Sequence, residues 1–177
     1  MYWYVLFVKT GYEQKIKNEI YKFWKLENSK PFVPMYEARF KRGGRVYPEI
    51  RRMTPGYVFV ESEMPGLAFY FATQKLIWQS KNTLKLMRYG DTADDKNFEM
   101  KPEEYAAFMH LCNEEHCVEM SKGFIEGDLV YIIEGPLKGM ESRIKKVRAP
   151  KMEAVVEMQM FGQFVEIKIG LEIIRKI

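Results

Sequence analysis

Cysteine and histidine are nearly absent, with two of each in 177 residues. Two cysteines cannot build a disulfide framework, and their scarcity suits a reducing cytoplasm. No apolar stretch reaches the length of a membrane span. The opening "MYWYVLFV" lacks the basic lead and small-residue cleavage pattern of a signal peptide and reads as a strand. A glycine-rich phosphate loop is missing, because "GRVYPEIRR" has neither Walker nor Rossmann spacing. No serine sits in a nucleophile elbow, and the acids show no paired arrangement. The one metal-like stretch is "HLCNEEHC", with His110, Cys112, His116 and Cys117. Cys112 belongs to the apolar face of the preceding helix, His110 points elsewhere, and adjacent His116 and Cys117 make an awkward tetrahedral pair. The expectation is therefore no enzyme, no cofactor and no metal.

Charge is present in abundance and is unevenly placed. The net value is only +4, but "RFKRGGRVYPEIRR" carries Arg39, Lys41, Arg42, Arg45, Arg51 and Arg52 against Glu49 alone. The stretch from Gly90 to Glu119 is heavily acidic. "SRIKKVRAPK" is basic again, with Arg143, Lys145, Lys146, Arg148 and Lys151 and no acid. Such asymmetry points toward contact with a polyanion.

Periodicity divides the chain. "YWYVLFV" has strand length and composition, buried on both faces. Thr10 and Glu13 stand at capping-box spacing, ahead of an amphipathic helix with Tyr12, Ile16, Ile20, Phe23 and Trp24 on one side. "ARFKRGGRVY" reads as a hairpin around Gly43-Gly44. "PGYVFVE" is a strand, "PGLAFYFATQKLIWQ" a helix with Leu67, Tyr70 and Phe71 together, and "LKLMRY" a short strand. "KPEEYAAFMHLC" is a helix with Tyr105, Phe108, Met109 and Cys112 on one face. From Phe124 onward the pattern changes to short strands and turns, "DLVYII", "ESRIKKV", "AVVEMQM", "FVEIKIG" and "LEIIRKI", which suggests a small barrel. The expected fold class is an α+β N-terminal domain over 1–118, a linker at 119–123 and a small all-β domain over 124–177.

These segments carry a family resemblance. "GDLVYIIEGPLKGMESRIKKV" resembles a KOW motif, and "WYVLFVKTGYEQKIKNEI", Val33-Pro34 and "PGYVFVE" resemble in order the hallmark segments of the NusG N-terminal (NGN) domain. "MFGQFVEI" is similar to the Phe-Gly strand pair near that family's C-terminus. The resemblance implies an antiparallel sheet flanked by helices that docks on RNA polymerase and favours processive elongation. It places the docking surface around Trp3, Tyr4, Met53, Tyr57 and Phe59. It also implies an SH3-like KOW barrel whose loop at Phe161-Gly162 contacts a ribosomal protein or a termination factor.

Departures from the housekeeping pattern are informative. Met53-Thr54 stands where aromatics are usual, Gln163 where arginine follows the Phe-Gly pair, and Ser142 where KOW motifs often have glycine. With the basic return strand, these make the chain look like a specialised paralogue, most like the LoaP antiterminators, which act on particular operons and recognise a nascent leader-RNA hairpin. The expected RNA-binding set is Arg143, Lys145, Lys146, Arg148 and Lys151, with Ser142 and Gln163 as polar readers. In a strand Lys146 breaks the alternation, so a bulge near it would turn it outward with Lys145. The hairpin cations Lys41, Arg42, Arg45, Arg51 and Arg52 form a second candidate, for the same RNA or for non-template DNA. The alternatives are a general elongation factor with protein partners only, and an RNA-binding or ribosome-associated protein that never meets polymerase. Either way a cytoplasmic monomer is expected.

Overall fold

A computed structural model describes residues 1–24, 28–90, 92 and 94–176. They gather into two compact units whose segments interleave along the chain. One comprises Met1–Val33, Thr54–Tyr105 and Met160–Gln163; the other Pro34–Met53, Ala106–Gln159 and Phe164–Ile177. No helix among the described residues is long and apolar enough to cross a membrane.

The first unit is built on a four-stranded sheet. Its strands are β1 (Tyr2–Val8), β2 (Ser29–Phe32), β5 (Tyr57–Ser62) and β6 (Thr83–Leu86), in the order β2-β5-β1-β6. β1 and β5 are central and antiparallel, with Val5 opposite Phe59, and most of their residues are buried. One face carries Trp3, which meets Phe32 and Phe59 at 5.1 and 6.1 Å and stacks on Tyr105 at 5.4 Å. The other face presents Tyr4, stacked at 3.8 Å on Phe69 of helix α2 (Gly66–Gln79). Because side chains alternate along a strand, one run of aromatic and branched residues fills both layers. The Tyr4 hydroxyl escapes desolvation by donating to the Met64 carbonyl at 2.6 Å.

Helix α1 (Glu13–Glu19) continues into a π-helical turn, Ile20–Trp24. The expected capping box does not form. Tyr12 is the N-cap and makes no side-chain bond, while the buried Glu13 carboxylate accepts from the Gly11 and Gly56 amides at 3.0 and 2.7 Å. A distant turn outcompetes the local cap. Ile16 and Ile20 are buried as expected; the side chains of Phe23 and Trp24, assigned to the same face, lie outside the described ones.

α2 also differs from its reading. Its core face is Phe69, Thr73 and Leu76, whereas Leu67, Phe71 and Trp78 are exposed. Tyr70 keeps an edge-on contact with Phe71 at 5.4 Å while stacking on Phe98 at 4.6 Å. The helix is apolar nearly all round, so composition alone does not select the inward face. In helix α3 (Pro102–Leu111), Phe108 and Leu111 are buried and Met109 is turned out.

The second unit contains two sheets. A three-stranded one pairs β3 (Met35–Arg42) with β4 (Arg45–Arg52) on one side and the short β7 (Cys117–Val118) on the other. Gly43 and Gly44 both have positive φ (57° and 77°), which a two-residue hairpin turn demands, and pairing is continuous from Arg42–Arg45 to Met35–Arg52. The five-stranded sheet runs β10 (Ile144–Arg148), β11 (Glu153–Met160), β12 (Gln163–Lys176), β8 (Ser121–Glu126), β9 (Leu129–Glu134). Two strand expectations change. "SKGFIE" forms a strand, taking up part of the segment read as a linker, and "FVEIKIG" and the described part of "LEIIRKI", through Lys176, are one strand passing through Gly170. A side chain at Gly170 would run into the Glu37 carbonyl of β3, so the glycine lets the two sheets approach.

Candidate nucleic-acid interface

The β10 segment is a basic ridge. A 3-10 turn, Glu141–Arg143, leads into β10, whose pairing with β11 shifts register between Ile144 and Lys146. That irregularity turns both Lys145 and Lys146 to solvent, alongside exposed Ser142 and Arg143. Lys145 pairs with Glu157 at 3.0 Å across an exposed gap, whereas Lys146 and Lys151 make no ion pair among the described residues. Arg148 is half-buried and bonds Glu153 at 3.1 Å. Gln163, assigned to the same set, belongs instead to the first unit.

Glu153 connects this ridge to the β3–β4 hairpin. Its carboxylate is 5% exposed, and its second oxygen accepts from the Tyr36 hydroxyl at 3.3 Å. Burial first, and the Glu153 charge second, push the Tyr36 phenol above its ordinary range. Tyr36 also bonds Arg51, whose guanidinium is held charged chiefly by Glu49 at 2.6 Å. Farther along the hairpin Arg39 bonds Glu172 of β12 at 2.8 Å, and the Glu37 carboxylate accepts from the Met120 amide at 2.8 Å. Buried Glu153 thus ties the two basic segments together.

Where they meet lies a cleft of about 360 Å³. Arg39, Lys41 and Arg51 line it from the hairpin, and Lys151 and Met152 from the turn after β10, with Phe40 between. Among the described residues no carboxylate lines it, although Arg39 and Arg51 are already paired with Glu172 and Glu49. Arg42 and Arg45, paired directly across the hairpin and exposed, carry the positive charge to its tip. Exposed Arg52 lies at the other end of β4.

Two side chains here were missed in the sequence. Phe40 and Tyr47 are cross-strand partners, 38% and 40% exposed, with rings 5.4 Å apart and 22° from parallel. The strand alternation holds the signal: counting outward from the twin glycines puts Phe40, Tyr47, Arg42 and Arg45 on one face.

The residues expected to dock on polymerase lie elsewhere. Trp3, Tyr4 and Phe59 fill the first unit's core and Met53 is buried in the second; Tyr57, against Phe7 at 5.4 Å, is half-exposed. A central strand buries both faces, so most of this set has little surface to offer as it sits. Phe161 is also buried, against the Tyr89 ring at 5.0 Å, while Gly162 is exposed. Both amides are held by Glu104, at 2.8 and 2.9 Å, and Tyr89 donates to the same carboxylate at 2.6 Å. Near α3, burial pushes the Cys112 thiol up to about 12, with neighbouring Cys117 adding to it. Among the described residues no group of His, Cys, Asp or Glu could hold a metal ion.

Comparison with known proteins agrees with the fold's N-terminal signature. Residues 1–109 match the family model of the transcription termination factor NusG. Over its full length the chain is similar to the transcription termination/antitermination proteins NusG of Halalkalibacterium halodurans (24% identity, 99% of this chain and 98% of that protein) and Pseudomonas aeruginosa (23%, 99% and 98%). The Escherichia coli K12 protein is 21% identical, over 98% of this chain and 95% of its own length. The chain belongs to the NusG family of transcription termination and antitermination factors.

Proposed function

We propose that this protein is an operon-specific antitermination factor. In this reading the N-terminal part forms an NGN domain that binds RNA polymerase, and the strands from Ser121 onward form a KOW barrel that contacts a leader-RNA hairpin. The observation that carries it is the register shift in β10, which presents Lys145 and Lys146 together on one exposed ridge. A-form RNA is bound largely through phosphates, shape and 2′-hydroxyls, so a compact row of cations suits a folded stem. The action is differential binding to the elongating state of polymerase, with no covalent step. The exposed stripe Leu67, Phe71 and Trp78, at i, i+4 and i+11 on α2, supports a protein partner for the N-terminal domain. Contact of the Phe161-Gly162 loop with a ribosomal protein or termination factor either uses exposed Gly162 as it stands or competes with Glu104 for the loop amides.

The test is binding of the full chain to a leader hairpin from its neighbouring operon, against a scrambled duplex, over a salt series. With four cations on phosphates, affinity falls about 10²-fold between about 50 and 200 mM salt. Lys145→Ala/Lys146→Ala flattens that slope, and Arg148 is left intact because it anchors Glu153. Weak, equal binding to every RNA overturns the proposal in favour of a general elongation factor. Failure of the protein and of a Phe71→Ala/Trp78→Ala variant alike to retain polymerase points to an RNA-binding protein that acts apart from it.

A further inference from the structure

We propose that the cleft and the outer hairpin face form one binding site for an unpaired nucleotide of RNA. Lys41 and Lys151 hold its phosphate, and the Phe40–Tyr47 pair stacks on its base. The proposal rests on the RNA reading above and adds a second point of contact to it.

Each part follows from the geometry. Among the described residues the cleft is lined by cations from two elements far apart in sequence and by no carboxylate, so an anionic group such as a phosphate fits it. Lys41 and Lys151 are exposed and lack an ion-pair partner among the described residues, so both have donors to offer. Phe40 lines the same cleft and is stacked with Tyr47, which gives the phosphate site an aromatic neighbour. An acidic peptide would use the cations but has no need of a ring face. A nucleotide uses both, because every base has a π face and aromatic side chains stack on it.

The ridge explains why the nucleotide is unpaired and part of a folded RNA. Lys151 is the next cation after Arg148 along the same segment. A stem lying along Arg143–Arg148 therefore delivers its bulge or loop nucleotide to the cleft, and in RNA the unstacked positions are those that proteins read by sequence. The stem supplies affinity at the ridge and the flipped nucleotide supplies discrimination at the hairpin.

A cross-strand aromatic pair also steadies a hairpin, so the test needs a readout that steadying does not move. The probes are a stem-loop RNA with 2-aminopurine at one unpaired position, the same stem fully paired, and single-stranded DNA of the loop-containing sequence. Wild-type full-length chain should bind the unpaired probe roughly tenfold tighter than the paired stem and quench the 2-aminopurine. Phe40→Leu/Tyr47→Val keeps strand-forming side chains while removing both rings. It should lose the preference and the quench, leaving affinity for the paired stem unchanged. Lys41→Gln/Lys151→Gln should weaken binding of the unpaired probe and lower its log–log salt slope by about 1 to 2. Retained preference and quench in the ring-less variant overturn the proposal, as does DNA competing as well as RNA. Wild-type protein that binds no RNA overturns the proposed function itself, a different result from RNA binding that ignores the rings.

Discussion

β4 and β5 follow one another in the chain and both contain aromatic and branched residues, yet they do opposite things. β5, "YVFVES", lies between β2 and β1 and is buried along most of its length. β4, "RVYPEIRR", is an edge strand exposed almost throughout, and Phe40–Tyr47 stacks in the open where Trp3, Phe32 and Phe59 cluster inside. Pro48 and the flanking arginines mark the difference, since proline and charge discourage further pairing at an edge. An aromatic residue therefore reports its role only through its strand's place in the sheet. The aromatics nominated for docking sit mainly in the central strands, and the sheet aromatics of the hairpin that reach solvent sit at its edge.

The largest effects should come from the buried side. Phe59→Ala removes a fully buried ring from the Trp3 cluster and should cost about 3–5 kcal/mol in denaturant unfolding. Phe40→Ala should cost about 1 kcal/mol or less, because only a cross-strand pair is lost. Similar losses for both would erase the contrast. Next is Glu153→Ala, which removes the acceptor of the buried Tyr36 hydroxyl and the partner of half-buried Arg148, and should cost about 1–3 kcal/mol. Restoring part of that stability with Glu153→Gln, which still accepts from Tyr36, would separate the hydrogen bonds from the charge.

Much of this contrast was legible beforehand, and the rest had physical reasons to be hidden. Twin glycines between extended arms announced the hairpin, and the broken alternation at Lys146 announced the irregularity in β10. Both are local signals, readable within a few residues. Glu153 was invisible because its partner Tyr36 is 117 residues away, and Glu13 was misread because a tertiary partner, Gly56, replaced the local cap. The inward face of α2 and the burial of Trp3 and Tyr4 depend on which layers cover the sheet. Phe40 and Tyr47 were overlooked because the surrounding cations drew the reading to charge.

A smaller effect should appear at high pH, where the folded chain holds protons that the unfolded chain releases. Burial raises the Cys112 thiol to about 12, and burial with Glu153 raises Tyr36 above its ordinary value. Between an unperturbed thiol value of about 8.5 and the folded one, the native state binds more protons than the unfolded state, so stability falls as pH rises. Tyr36 adds to that loss once the unfolded phenol ionises, from about pH 10. Stability should thus change little from these groups below about pH 8 and decline above about pH 9, and Cys112→Ala should remove the earlier part of the slope. A melting temperature that stays level to pH 10 in wild-type protein would contradict the burial of that thiol.

The smallest expected change in stability belongs to the ridge. Lys145→Ala/Lys146→Ala breaks an exposed pair with Glu157 and removes a cation with no ion-pair partner among the described residues. Exposed pairs contribute about 0–1 kcal/mol, so unfolding should shift by no more than that. The same variant should lose about 0.9 in log–log salt slope for each phosphate contact removed. Side chains that do almost nothing for the fold and much for a polyanion are what a binding surface requires. A destabilised variant with an unchanged salt slope would instead move the ridge to the structural side of the comparison with β5.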